Sequence, residues 1–217
     1  MKQTTKQAIE QFCVRYPALA FLQGELERAV EESVSRIRRG GKVLVCGNGG
    51  SAADCEHIVG ELLKSFYLPR PLPPEEQQAF EAHGEEGKLL ARTLQGGIPA
   101  ISLVSQVGIL TAFGNDADPA CAYAQQVYAY GRSQDLFIGI TTSGNAANVR
   151  YAAIAARQRG CLTIGLTGES GGKLREHCDI LLAVPERETY KVQEYHLPVY
   201  HLYCMCVEQE IFGEAEA

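Results

Sequence analysis

The apolar positions of this chain alternate between two spacings. Short, mainly apolar runs recur at Val43–Cys46, Pro99–Leu103, Asp135–Ile140, Cys161–Leu166 and Ile180–Val184. Each is bounded by glycine or polar turn residues, the pattern of a strand buried on both faces. Between them apolar residues fall three or four apart, as on a helix with one buried face. Residues 18–39 show this clearly: Leu22, Leu26, Val30, Val34 and Ile37 share a side, charge fills the other, and Gly40-Gly41 ends the run. Further helices are expected over 4–15, 51–66, 106–113, 119–130, 146–159, 173–177 and 190–212. Strands alternating with helices predict a five-stranded parallel sheet with helices on both faces, preceded by an N-terminal helical pair over 1–40. Right-handed crossovers then line up the loops after the strands along one edge, where such sheets bind ligands.

One stretch breaks the alternation. Leu68–Pro74 reads LPRPLPP and excludes a helix, since proline lacks the donor and restricts its neighbour. After it, Glu75–His83 and Glu85–Leu94 have the pattern of short helices. Residues 67–97 therefore read as an insertion of the lid or binding-loop kind, with Gly84, Gly87, Gly96 and Gly97 as hinges. No internal repeat is evident, and the expectation is one domain over 1–217. The acidic end, Gly213–Ala217, reads as a frayed tail.

Composition narrows the class. At 217 residues the chain can bury a substantial core, and a net charge of -6 argues against a nucleic-acid partner. No run of 18 apolar residues occurs, and the start, MKQTTKQAIEQ, is too polar for a signal peptide. The expectation is a cytoplasmic protein with no membrane partner. The eight cysteines fall mostly inside expected strands and helices, which suits buried thiols of a reducing compartment rather than a disulfide framework. Cys204 and Cys206 diverge on a helix and make no zinc hook.

The chemistry concentrates in Lys42–Glu61, KVLVCGNGGSAADCEHIVGE. A strand enters the turn Gly47-Asn48-Gly49-Gly50, and Ser51 sits where an N-cap belongs. Unpaired amides and the helix dipole at such a turn make an anion seat. His57 and Glu61, four apart, share one face of the helix. A second turn, Thr141-Thr142-Ser143-Gly144-Asn145, follows the third strand. The first turn lacks the G-x-G-x-x-G register and no Gly-Lys-Ser/Thr follows it, so neither a dinucleotide fold nor a P-loop is indicated. Two hydroxyl-bearing turns without lysine suit a sugar phosphate held by hydroxyls and backbone N–H groups. Tyr195, Tyr200 and Tyr203 read as packing residues.

In order along the chain, GNGGSAAD-x-x-H-x-x-x-E, GND, TTSGNAANV, LTGESGGKL and VQEYH-x-x-x-x-H resemble the sugar isomerase (SIS) domain family, and within it the bacterial phosphoheptose isomerases. The resemblance covers nearly the whole chain apart from the insertion. It implies a flavodoxin-like sheet, a homotetramer, and interconversion of sedoheptulose 7-phosphate with an aldoheptose 7-phosphate. It implies Ser51, Thr141, Thr142 and Ser143 as phosphate holders, with Asn48, Gly49, Gly50, Asp116 and Gln193 at the substrate or its phosphate loop. Glu61 becomes the base and His201 the acid, and zinc is implied on His57, Glu61, Gln193 and His201. Two positions depart from the family pattern: Ala146 stands where a serine is common, and Tyr190 near an expected aspartate. Gln193 and His201 are eight residues apart, about 12 Å along a helix. That spacing predicts a site close to, or across, a subunit interface. The competing reading is a non-catalytic SIS protein that binds a sugar phosphate or a replication-initiation protein as a regulator.

Overall fold

The computed structural model describes residues 1–214, so the tail expectation lies outside the described residues beyond Glu214. Helices α1 (Gln3–Arg15) and α2 (Gln23–Ile37) precede β1 (Val43–Cys46) and α3 (Gly50–Leu63). The insertion forms α4 (Pro74–Glu81) and α5 (Gly84–Thr93). Then come β2 (Ala100–Ser102), α6 (Val107–Asp116), α7 (Ala122–Tyr130), β3 (Leu136–Thr141) and α8 (Ala147–Gln158). The chain continues through β4 (Leu162–Thr167) and β5 (Ile180–Ala183) to the long α9 (Thr189–Phe212).

All strand pairs are parallel, in the order β2-β1-β3-β4-β5. Parallel neighbours need crossovers, and the helices supply them. Side chains alternate between two cores, as the pleat requires. Val43 and Val45 of β1, with Leu136, Ile138 and Ile140 of β3, enter the core shared with α1, α2, α3 and α9. Leu44, Cys46 and Phe137 point to the other face, against Val127 of α7 and Val149, Ala152, Ala153 and Ala156 of α8. The sheet is thus covered on both sides, and strand order reverses between β1 and β3. Both turns singled out in the sequence leave those two strands at that reversal.

Three local readings need correction. Residues 18–39 are not one α-helix: Pro17–Leu22 winds as a tighter 3₁₀ segment before α2 begins. Proline opens that segment, and its fixed φ suits a first turn while offering no N–H. Ser51 is not the N-cap of α3. Gly49 is, with φ +57°, a conformation that L side chains avoid, so the chain turns there and Ser51 is drawn into the first helical turn, buried. Helix α6 also runs on past the expected end at Phe113, through Asn115 to Asp116.

The insertion is a helical hairpin tied at its base. Pro71 bridges Gln95, Gln95 Oε1 accepts from the Ser65 amide at 2.8 Å, and Arg70 is buried beneath. All eight cysteines are free thiols, five of them buried. Among the described residues no helix is long and apolar enough to cross a membrane.

Candidate active site

The site is built on the seam where α3 packs against α9. On α3, Cys55, Ile58 and Leu62 repeat at helical spacing and enter the core. His57 and Glu61 occupy the next stripe, which faces α9. Helix α9 brings His201 to the same place. One donor atom from each of His57, Glu61 and His201 lies within 4.8 Å of the others.

The geometry within this cluster is uneven. His57 Nε2 is 3.0 Å from Glu61 Oε1. His201 Nε2 is 3.3 Å from the same oxygen, without the angle of a hydrogen bond. Glu61 Oε2 is buried and has no hydrogen-bond partner. The two imidazoles meet edge to face, with ring centroids 5.0 Å apart, and Phe66 closes on His201 at 5.7 Å. Burial pushes the Glu61 carboxyl above its ordinary pKa, against the pull of the His57 charge and the Cys204 thiol beside it. His201 is pushed below its ordinary value, first by burial and then by His57. Both histidine side chains keep an open side, 47% exposed for His57 and 36% for His201. A cavity of about 340 Å³ between α1 and α9 reaches His201, with Phe12, Arg15, Tyr16 and Phe66 in its wall.

Converging imidazole nitrogens, an unpaired buried carboxylate oxygen and an open face form a donor set that suits a divalent cation. Gln193 is not in this cluster. Its amide packs against Gly50, where an added Cβ would collide with it. It therefore marks the start of α3, while His201, two turns further along α9, meets Glu61.

The other end of the site is the pair of turns. No N-cap side chain closes α3 or α8. The Ser51 and Ala52 amides nonetheless donate to the Asn48 and Gly49 carbonyls, and that of Val149 to Asn148 Oδ1. Among the described residues the open amides at these starts are those of Gly50, Ala147 and Asn148. Asn48 of the first turn and Asn148 of α8 exchange two amide hydrogen bonds, each 2.9 Å, which ties the turns together across the strand reversal. Ser143 is exposed and Thr142 half-buried, whereas Thr141 ends β3, buried beside Thr167. Gly144, at φ +69°, lets the second turn pack on Gly171. A cavity of about 640 Å³ lies behind this turn, lined by Thr142, Ser143, Asn145, Ser170 and Arg187 among others. Asp116 is exposed and accepts from Asn115 at 2.9 Å. Among the described residues no hydrogen bond joins it to the first turn. Seven residues of α3 separate Gly50 from His57, about 10 Å. Seat and cluster are neighbours on one helix rather than a single point.

Sequence reasoning missed Asn148, although it stands inside TTSGNAANV, and assigned Tyr200 to packing alone. In the structure the Tyr200 hydroxyl touches His57 and Asp54.

A parallel sheet of this order, with uncapped helix starts at its reversal and a His/Glu/His cluster one helix away, defines an α/β protein of the sugar-phosphate-handling SIS class. The SIS domain family model matches residues 18–96 and 89–168, and the chain belongs to that family. It is similar to the phosphoheptose isomerase of Burkholderia pseudomallei (strain 1710b), 38% identical over 193 residues, which cover 89% of this chain and 85% of that one. It is 42% identical to the phosphoheptose isomerase of Roseiflexus sp. (strain RS-1) over 184 residues, 85% of this chain and 81% of that one. Among solved structures it superposes on a phosphoheptose isomerase from Neisseria gonorrhoeae with a TM-score of 0.72 and 32% identity, covering 92% of this chain and 94% of that one. A phosphoheptose isomerase from Francisella tularensis gives 0.74 and 30%, covering 95% and 94%.

Proposed function

We infer that this chain is an aldose–ketose isomerase that interconverts sedoheptulose 7-phosphate and an aldoheptose 7-phosphate. The observation that carries the reading is the meeting of Glu61 with His57 and His201 in a fold whose relatives are phosphoheptose isomerases. A ketose becomes an aldose when one proton moves between neighbouring carbons through an enediol. Glu61 is the base that takes and returns it, and its raised pKa brings it nearer to the strength that a carbon acid requires. His201, on the open side, serves the sugar oxygens as the proton donor and acceptor. Thr142, Ser143 and the amides still open at the starts of α3 and α8 hold the phosphate, with Ser51, Thr141, Asn48, Gly49 and Gly50 shaping the seat.

Zinc is the proposed metal, held by His57, Glu61 and His201. When bound, such an ion supplies Lewis-acid polarisation of the sugar carbonyl. Gln193 lies two turns from His201, so it serves the substrate at the Gly50 end, or it reaches the ion only after moving. The open face of the cluster and the cavity beside it suit a site completed at an interface within a homotetramer, in one domain spanning 1–217 with 67–97 as an insertion. We place the protein in the cytoplasm, in keeping with the eight free thiols.

The test is turnover. Purified protein with sedoheptulose 7-phosphate should yield an aldoheptose 7-phosphate separable by anion-exchange chromatography. Tight binding of the sugar phosphate with no aldose formed would support the regulator reading instead.

A further inference from the structure

The Tyr200 hydroxyl has two partners in the site. It lies 3.0 Å from His57 Nδ1 and 3.3 Å from Asp54 Oδ1. The residue is 3% exposed, and its ring stands edge-on to both His57 and His201, with centroids 5.5 and 5.1 Å away. Asp54 precedes His57 by one turn of α3. A phenol has one hydrogen to give, and a carboxylate only accepts. The hydrogen therefore goes to Asp54. The phenol oxygen is left as the acceptor, so His57 Nδ1 carries a proton. In a neutral imidazole that choice leaves Nε2 as a bare lone pair. Nε2 faces Glu61 Oε1 at 3.0 Å, and that carboxylate also only accepts. With no ion between them, Glu61 and Tyr200 therefore compete for the ring proton. A cation held by Nε2 and Glu61 removes the conflict and leaves the proton on Nδ1.

We propose that Tyr200, held by Asp54, is a positioning residue that locks His57 in its Nδ1–H tautomer and presents Nε2 as a ligand for a divalent metal ion beside Glu61 and His201. A hydrogen bond to the remote nitrogen of a ligating imidazole fixes its tautomer and orientation. Here the partner is a phenol on α9, the helix that also carries His201. One element thus supplies both a ligand and the group that orients the other imidazole. The inference rests on the metal reading above, and zinc affinity separates the two: uptake by the wild type tests the metal, and its loss in the variants tests Tyr200.

Long-range proton–nitrogen NMR of ¹⁵N-histidine-labelled, zinc-loaded protein reads which His57 nitrogen holds a proton and which one faces the ion. The wild type should show Nδ1–H. Tyr200→Phe should show that Nδ1–H signal broadened or lost, because the proton exchanges with solvent once the phenol oxygen is gone. So should Asp54→Asn, whose amide no longer demands the phenol hydrogen. Competition for zinc against a chromophoric chelator should show binding about 10-fold weaker in both variants. Circular dichroism of Asp54→Asn should match the wild type, which keeps the test open if Tyr200→Phe folds poorly. A wild-type ring protonated on Nε2, or variants that bind zinc as tightly as the wild type, would overturn the proposal. Wild-type protein that takes up no zinc sinks the metal reading and this inference with it, whereas unchanged zinc binding in both variants sinks the inference alone.

Discussion

Two buried glutamates lie along the α3–α9 seam, and the fold treats them in opposite ways. Glu208 is saturated. It accepts from the amides of Phe66, Tyr67 and Leu68 at 2.9, 2.8 and 3.0 Å, and from Arg70 Nε at 2.6 Å. Both partners of that ion pair have side chains 0% exposed. Glu61 has one oxygen beside two imidazoles and the other without a hydrogen bond. The saturated carboxylate is held by four donors and organises chain entry into the insertion. The unsaturated one is left with a raised proton affinity and a free oxygen, which suits a group that must take up and release a proton. Arg70 links them. Its guanidinium reaches the Leu62 and Glu61 carbonyls at 2.8 and 3.1 Å, at the end of α3 where a cation is favoured. The clamp thus holds the Glu61 backbone while leaving its carboxyl free.

Exchanging each carboxylate for its amide breaks this contrast most sharply. Glu61→Gln should lower kcat by about 10²–10⁴-fold, the range for loss of a general base. Its melting temperature should hold or rise, because a neutral amide avoids the cost of burying a charge. Steady-state kinetics and thermal melting on the same preparation check both. Glu208→Gln should act in the opposite sense, destabilising the fold by about 3–5 kcal/mol as Arg70 is left uncompensated. Urea unfolding measures that loss.

A third buried ionisable group on α9 sharpens the comparison. His196 is 0% exposed, its ring nitrogens make no well-formed hydrogen bond, and burial, outweighing the nearby Thr167 backbone, lowers its pKa to about 4. A histidine depressed in the folded state stays neutral there while the unfolded chain takes up a proton near pH 6.5. Its contribution to stability is therefore complete above pH 6.5 and is lost as pH falls towards 4, by about 3 kcal/mol. Denaturation of wild type and His196→Leu across that window should show the extra slope in the wild type alone. The smallest effect concerns the phosphate end. Gly49→Ala forces a side chain into φ +57° and should cost about 1–2 kcal/mol of stability, with weaker sugar-phosphate binding by calorimetry.

The sheet was legible because apolar runs and glycine turns are local signals. Val43–Cys46 and Gly47–Ser51 announce a strand and its turn within ten residues, and the five strands fall within a residue or two of their expected bounds. The i,i+4 placement of His57 and Glu61 was equally local. What the sequence could not display were partners held by packing. Glu208 finds Arg70 across 138 positions, and Tyr200 finds His57 across 143. Neither pairing leaves a periodic trace, so the glutamate drew no notice and the tyrosine read as packing. The misplaced cap at Ser51 has a different cause. A preference for hydroxyls at N-caps competes with the need for a positive φ, and at Gly49 the backbone decides.

Solvent hydrogen exchange tests the central claim most directly. Sedoheptulose 7-phosphate incubated with the protein in deuterated water should acquire deuterium at the carbon next to the carbonyl, and Glu61→Gln should abolish this while still binding the sugar phosphate. Exchange that persists at the wild-type rate in Glu61→Gln would contradict the assignment of that carboxylate as the base.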